Sequence, residues 1–172
     1  MKSGKGMWNN KQGDCYTGDW ANNKANGYGV HTWVTGDRYE GEWVEFLKHG
    51  KGTDYFSNGD RYAGMYRYGK PYGRGVYTWK SGAMYTGEFQ DGKKQGQGRW
   101  EKNPGVNEVV NGVYPVYHEG GYLEDKKHGQ GEYQWASGNL YNGGYAEDKR
   151  HGWGKMMWID GSVYEGEWSN GT

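Results

Sequence analysis

The octet Gly36-Asp37-Arg38-Tyr39-Glu40-Gly41-Glu42-Trp43 decides the fold, because variants of it recur along the chain. Every copy has glycine at its first and sixth positions, tyrosine at its fourth and an aromatic residue at its eighth. The copies begin at Gly13, Gly36, Gly59, Gly82, Gly138 and Gly161. The common step is 23 residues, and a fixed period of this size marks a repeat protein.

Each repeat continues with two more glycines and an aromatic residue, as in the segment 27–33. Because side chains alternate along a strand, the tyrosine, glycine and tryptophan of 39–43 share one face, and the two glutamates face the other way. A glycine every few residues disfavours helix. The sequence therefore predicts an all-β protein, an elongated single antiparallel sheet of stacked 23-residue β-hairpins.

Two kinds of connection are expected between the strands. Dipeptides such as Thr35-Gly36 and Ser81-Gly82 join successive repeats, and they predict tight turns in which glycine supplies a positive φ. Within a repeat, about six polar residues separate the strands, as in 90–95. This spacing predicts a wider hairpin loop.

The period defines one repeat array over residues 1–172, in which the rings of the octet and the later aromatic residue form a single face. Repeats are predicted at 13–35, 36–58, 59–81, 82–104, 115–137 and 138–160, with partial repeats at 1–12 and 161–172. About ten residues are inserted around 103–114. The partial repeats would leave sheet edges unpaired, so we expect covering partners or a longer protein. The predicted aromatic face comprises Tyr16, Trp20, Trp33, Tyr39, Trp43, Tyr62, Trp79, Tyr85, Trp135, Tyr141, Trp158, Tyr164 and Trp168.

The composition limits the function classes. Zero formal net charge and a pI near 7.0 give no reason to expect a nucleic-acid partner. The single Cys15 suits a reducing compartment, and no apolar run approaches the ~20 residues that a membrane span needs. We therefore expect a soluble protein located in the cytoplasm.

The pattern Gly-x-x-Tyr-x-Gly-x-Trp followed by Gly-x-Gly-x-x-x-Trp resembles the MORN repeat (membrane occupation and recognition nexus). The resemblance covers nearly the whole chain and breaks at residues 101–118. It implies an antiparallel hairpin array of the kind found in cytoskeletal and ciliary scaffolds, including radial spoke heads, so it adds the cytoskeleton and the ciliary axoneme as expected locations. Such arrays also accompany lipid kinases and a lysine methyltransferase, but neither catalytic domain is present here.

The sequence offers no catalytic set, metal site or cofactor site. Gly-x-Gly units such as Gly50-Lys51-Gly52 lack the further residues of a phosphate-binding loop. Three histidines, His49, His128 and His151, share one repeat position. Neighbouring repeats lie roughly 10 Å apart, too far for shared metal coordination. We expect no enzymatic activity.

Basic residues recur beside the hairpin loops and would line one long edge of the sheet. Acidic residues such as Asp91 and Glu124 precede them, which favours a self-neutralising edge over a lipid-binding one. Contact with anionic lipid or an acidic partner is the alternative. The candidate residues are Lys93, Lys94, Lys126, Lys127, Lys149 and Arg150.

Apolar residues at outward positions point to protein partners, since clustered apolar surface marks interaction sites. The candidates are Phe46, Leu47, Tyr68, Tyr72, Val109, Val110, Tyr114 and Trp153. The first hypothesis is a non-catalytic scaffold in a multi-subunit assembly. The alternatives are a peripheral membrane tether and an accessory module of a larger enzyme.

Overall fold

The computed structural model describes residues 1–172 as 14 antiparallel strands without a helix. Strand order in the sheet follows chain order from β1 to β14, so the predicted all-β antiparallel sheet is confirmed. No helix is available that could cross a membrane. The strands are β1 (Gly4–Asn9), β2 (Cys15–Ala21), β3 (Lys24–Thr32), β4 (Arg38–Val44), β5 (Leu47–Tyr55), β6 (Arg61–Arg67), β7 (Lys70–Thr78), β8 (Met84–Gln90), β9 (Lys93–Glu101), β10 (Tyr117–Leu123), β11 (Lys126–Gln134), β12 (Leu140–Ala146), β13 (Lys149–Met157) and β14 (Val163–Trp168).

The chain divides into two compact units. The first unit comprises residues 1–80 and 89–92, and the second comprises 81–88 and 93–172. Both use the same register, in which the octet glycine faces a glycine of the following strand. Gly41 faces Gly52 in the first unit, and Gly143 faces Gly154 in the second.

The octet tyrosine is the centre of each repeat. Tyr39 is completely buried, and its ring lies over the bare backbone of Gly52, where an added Cβ would stand 2.5 Å from ring atoms Cε2 and Cζ. Its hydroxyl donates to the carbonyl oxygen of Glu42 at 2.9 Å. Tyr16, Tyr62, Tyr85 and Tyr141 repeat both contacts. The paired glycines therefore provide the space that each buried ring occupies.

The last ring of the octet joins consecutive tyrosines. Trp43 meets Tyr39 edge-on, with ring centroids 5.0 Å apart, and meets Tyr16 of the preceding repeat in the same way at 5.5 Å. In the second unit, Trp168 makes the equivalent contacts with Tyr164 and Tyr141. Such T-shaped pairs contribute roughly 0.5–1.5 kcal/mol beyond burial, so the aromatic face serves as the core of each unit.

The connections differ from the expectation in one respect. Within a repeat the strands are joined by two-residue turns in which both residues have positive φ, such as Asn22-Asn23 and Asp91-Gly92. The prediction of a wider hairpin loop there is wrong, because the polar residues around each turn already pair as strand. Between repeats the connection is a five-residue loop such as 33–37, whose Gly36 has the predicted positive φ of 93°.

The insertion lengthens one of these loops without interrupting the sheet. Residues 102–116 connect β9 to β10, yet Trp100 still faces His118 and Glu101 faces Tyr117. Lys102 N–H also donates to the Val116 carbonyl at 2.9 Å. The extra residues leave and re-enter at the same point of the sheet.

Replacing Gly52 with alanine tests the ring-on-glycine contact. The new methyl group would overlap the buried Tyr39 ring, and overpacking of this kind costs about 1–3 kcal/mol. We expect a lower free energy of unfolding by that amount in urea titrations followed by tryptophan fluorescence.

Gly6→Ala is the matched control, because Gly6 holds the same repeat position in the partial first repeat. An added Cβ there would meet only Nε1 and Cδ1 of Trp20, at 3.2 and 3.3 Å, and no tyrosine ring. We expect a change below about 0.5 kcal/mol. Equal losses in the two variants would contradict the proposed role of the tyrosine ring.

Candidate partner-binding face

Basic side chains lie on the aromatic face at one position of the repeat. We call it position 12, because it is twelve residues after the starting glycine. Lys48 shows the arrangement: its Nζ lies 5.0 Å from the centroid of Tyr39 and 5.7 Å from that of Tyr66. It also pairs with Asp54 Oδ1 at 2.6 Å. Asp54 is buried and accepts a further hydrogen bond from the Tyr66 hydroxyl at 2.5 Å. Each such cation lies against two contacting rings of neighbouring repeats, and we call this place a slot.

The second unit holds three position-12 cations. Lys94 lies 5.2 Å from the Tyr122 centroid, and Lys127 lies 5.8 Å from that of Tyr145. Burial lowers the pKa of Lys94. Arg150 lies 4.2 Å from the Trp168 ring. These three side chains therefore lie on the aromatic face, and the expectation that they line the outer edge is wrong, because position 12 points towards the rings.

The remaining candidate cations, Lys93, Lys126 and Lys149, are exposed beside the two-residue turns. Lys93 pairs with Glu124 of the next repeat at 3.3 Å, and Lys126 pairs with Glu147 in the same way. Exposed pairs of this kind contribute little to stability, because water and salt screen them. Their acids neutralise much of this edge, as the sequence predicted.

Position 12 of the first complete repeat is Ala25, and beside it the aromatic face opens into a cavity of about 440 Å³. His31 stacks on Trp33 with centroids 4.2 Å apart. Burial lowers the pKa of His31, and its Nε2 has no hydrogen-bond partner. The lining residues are Lys2, Trp8, Tyr16, Trp20, Asn23, Ala25, His31, Trp33, Trp43 and Phe46.

Phe46 is the most unusual residue of this cavity. It is the second residue of a two-residue turn with φ of 70°, where the other turns place Asn23, Gly69, Gly92, Asp125 or Asp148. Asparagine, aspartate and glycine tolerate this backbone conformation, but a bulky residue does not. The Phe46 side chain remains 53% exposed. The chain therefore keeps a strained, exposed ring at the cavity rim.

The other predicted partner residues are distributed over both units. Leu47, Tyr68 and Tyr72 are exposed around two successive turns of the first unit, with Arg67 over both tyrosine rings at 5.2 and 5.0 Å. In the second unit Trp153 is 60% exposed on β13. Val109 and Val110 are exposed within the insertion, whereas the Tyr114 backbone N–H donates to Ala136. Of these candidates only Phe46 lines the cavity, and the partner roles of all of them stay predictions.

The fifth repeat carries His118 where the others carry the buried tyrosine. It is 1% exposed, its Nδ1 lies 2.8 Å from the Tyr122 hydroxyl, and its Nε2 has no partner. Burial is the main cause that lowers the pKa of His118 to about 3. The charges of Lys127 and Lys94 lower the pKa further, and the charge of Asp148 opposes them. The resemblance to the repeat breaks at residues 101–118, but the sequence did not predict a buried neutral imidazole at its end.

The fold and this face define a β-hairpin repeat protein. The model of the MORN repeat matches seven segments of the chain, at residues 16–38, 39–61, 62–84, 85–105, 118–140, 141–163 and 164–172. The chain therefore belongs to the MORN repeat family, and the match indicates a module that binds proteins or membranes. No curated protein matches the chain significantly.

His118 should make stability fall in acid. The unfolded imidazole binds a proton near its ordinary pKa of 6.5, whereas the folded one resists protonation until about pH 3. Stability is therefore fully present above pH 6.5 and decreases as the pH falls towards 3. We expect a loss of about 2 kcal/mol between pH 7 and pH 5.

His118→Tyr is the matched variant, because it restores the side chain of the other repeats. Urea titrations of both proteins at pH 7 and 5 isolate the contribution of the imidazole from that of the carboxylates. An identical pH dependence in the two proteins would contradict this assignment.

Proposed function

We propose that the chain is a non-catalytic scaffold module that binds another protein at the cavity beside Ala25. The observation that carries this proposal is the strained, exposed ring of Phe46 at the cavity rim. Backbone strain of this kind costs roughly 1–3 kcal/mol, and it concentrates at functional sites. A turn residue chosen for stability would be asparagine, aspartate or glycine, as in the other repeats.

The face itself suits protein contact. Rigid aromatic rings provide contact area at a low entropic cost, and tryptophan and tyrosine are enriched among residues that dominate binding energy. The cavity presents four indole rings and one phenol ring, from Trp8, Tyr16, Trp20, Trp33 and Trp43. Within the first unit, the two-residue turns and paired strands hold this surface in place.

The cellular setting that we propose is a cytoskeletal or ciliary assembly in the cytoplasm. The support is the resemblance of the repeats to those of scaffolds in cilia, including radial spoke heads. A membrane tether is the competing function, and the outer-edge cations would carry it. Pairing of Lys93 and Lys126 with glutamates reduces the charge they could offer to lipid.

Phe46→Asn separates a binding role from a folding role. Asparagine already occupies the same turn position as Asn23, so relief of strain should keep stability constant or raise it by about 1 kcal/mol. Partner association should fall at least about tenfold, measured as co-purification from cells of origin with quantitative mass spectrometry.

Tyr28→Asn is the control, since Tyr28 is an exposed ring opposite Glu42, on the polar side of the same unit. This change should leave association intact. Retained association in Phe46→Asn, together with a loss of stability, would contradict the proposal. Flotation with anionic vesicles that is lost in Lys93→Glu/Lys126→Glu would favour the membrane function instead.

A further inference from the structure

Position 12 is occupied by a cation in most repeats, and this pattern makes the cavity at Ala25 informative. In the first unit Lys2 lies 5.0 Å from the Trp20 centroid and Lys48 lies 5.0 Å from that of Tyr39. Lys94, Lys127 and Arg150 occupy the same position in the second unit. Pro71 and Ala25 are the exceptions. Ala25 is buried and carries no charge, so its slot lacks the cation that five other repeats provide.

The Arg150 slot is the closest match to the empty one. Its guanidinium lies 4.2 Å from the centroid of Trp168 and 5.8 Å from that of Tyr141. Trp168 and Tyr141 meet edge-on at 5.4 Å. At Ala25 the same two ring types, Trp43 and Tyr16, meet edge-on at 5.5 Å.

The position-12 lysines and Arg150 differ in the groups that compensate their positive charge. Lys48 pairs with Asp54, and Lys127 lies 3.7 Å from Asp148. Arg150 forms no ion pair and instead donates to the Gly171 carbonyl at 2.6 Å. The cavity at Ala25 has no carboxylate in its lining. A cation held there must rely on ring faces, which suits the weakly hydrated guanidinium better than an ammonium.

Neighbouring cations do not exclude a further one. The slot at Ala25 lies between those of Lys2 and Lys48, but the consecutive repeats of Lys127 and Arg150 show that adjacent slots accept cations together. The cavity volume of about 440 Å³ also exceeds what one side chain needs. It therefore leaves space for the arginine together with part of the segment that carries it.

We propose that the cavity beside Ala25 binds an arginine side chain of a partner protein, placed against the wall that Tyr16 and Trp43 form, in the place that corresponds to Arg150 beside Tyr141 and Trp168. This inference rests on the proposed function, since it specifies the partner chemistry of the same cavity. The incoming guanidinium would supply the position-12 cation that Ala25 does not provide. The rest of the partner segment contacts the rim at Phe46.

Binding of short capped peptides tests this inference without knowledge of the partner. The probes are acetyl-Gly-Arg-Gly-amide and the same peptide with citrulline, which keeps the shape of arginine but lacks its charge. Two-dimensional ¹H–¹⁵N spectra measure the chemical shifts of the indole N–H groups of Trp20 and Trp43, which donate hydrogen bonds to backbone carbonyls. We expect saturable shifts with the arginine peptide and at least about fivefold weaker binding of the citrulline peptide, in line with a cation–π contribution of about 1 kcal/mol.

Two variants locate the site. Ala25→Arg places the chain's own guanidinium in the slot and should abolish the shifts, whereas Thr17→Arg adds the same charge at an exposed position of β2 and should preserve them. Equal affinity for the arginine and citrulline peptides would overturn the inference. The absence of a saturable shift with the arginine peptide up to about 20 mM would also overturn it, since that concentration corresponds to a binding free energy of about −2.3 kcal/mol. Loss of partner association in Phe46→Asn would still support the proposed function in that case.

Discussion

The packing of a tyrosine ring on a pair of bare glycine backbones is the constraint on which each unit depends. The ring of Tyr39 takes the volume above Gly52, and a methyl group there would overlap it. Its hydroxyl satisfies the carbonyl of Glu42, so the polar end of the ring is satisfied inside the core. Since each ring is then flanked edge-on by aromatic residues of its own and the following repeat, a chain with few aliphatic residues still buries an apolar layer in each unit.

The cations of position 12 show that this layer is electrostatic as well as apolar. Lysine and arginine side chains cover the rings with their methylene groups while their charged ends meet π faces. Lys48 combines three ring contacts with a pair to the buried Asp54. The same surface thus serves as the interior of the array where its own cation is present and as an open cavity where Ala25 replaces it.

The periodic features could be predicted from the sequence, and the exceptions could not. Tyrosine, glycine and tryptophan at fixed odd offsets imply strands with one aromatic face, and the buried Tyr39 confirms this. The two-residue turns were not predicted, because polar residues beside a turn read equally well as loop or strand. The pairing also shifts by two residues between Lys48 and Gly52, where the Lys51 N–H donates to Glu42 at 2.6 Å, but an even shift preserves the alternation of side chains. Lys94 alternates in step with Gly96 and Gly98, so reading 93–94 as strand instead of loop would have assigned it to the aromatic face.

The two connections differ in how much extra length they accept. The loop 102–116 leaves β9 and β10 paired although it is much longer than a loop such as 33–37. Each two-residue turn is hydrogen-bonded to the strand that follows the preceding turn, as when Phe46 N–H donates to the Ala25 carbonyl. An added residue there would break a contact between repeats. Foreign recognition loops grafted onto this scaffold therefore belong at the five-residue connections, where the array already carries one long insertion.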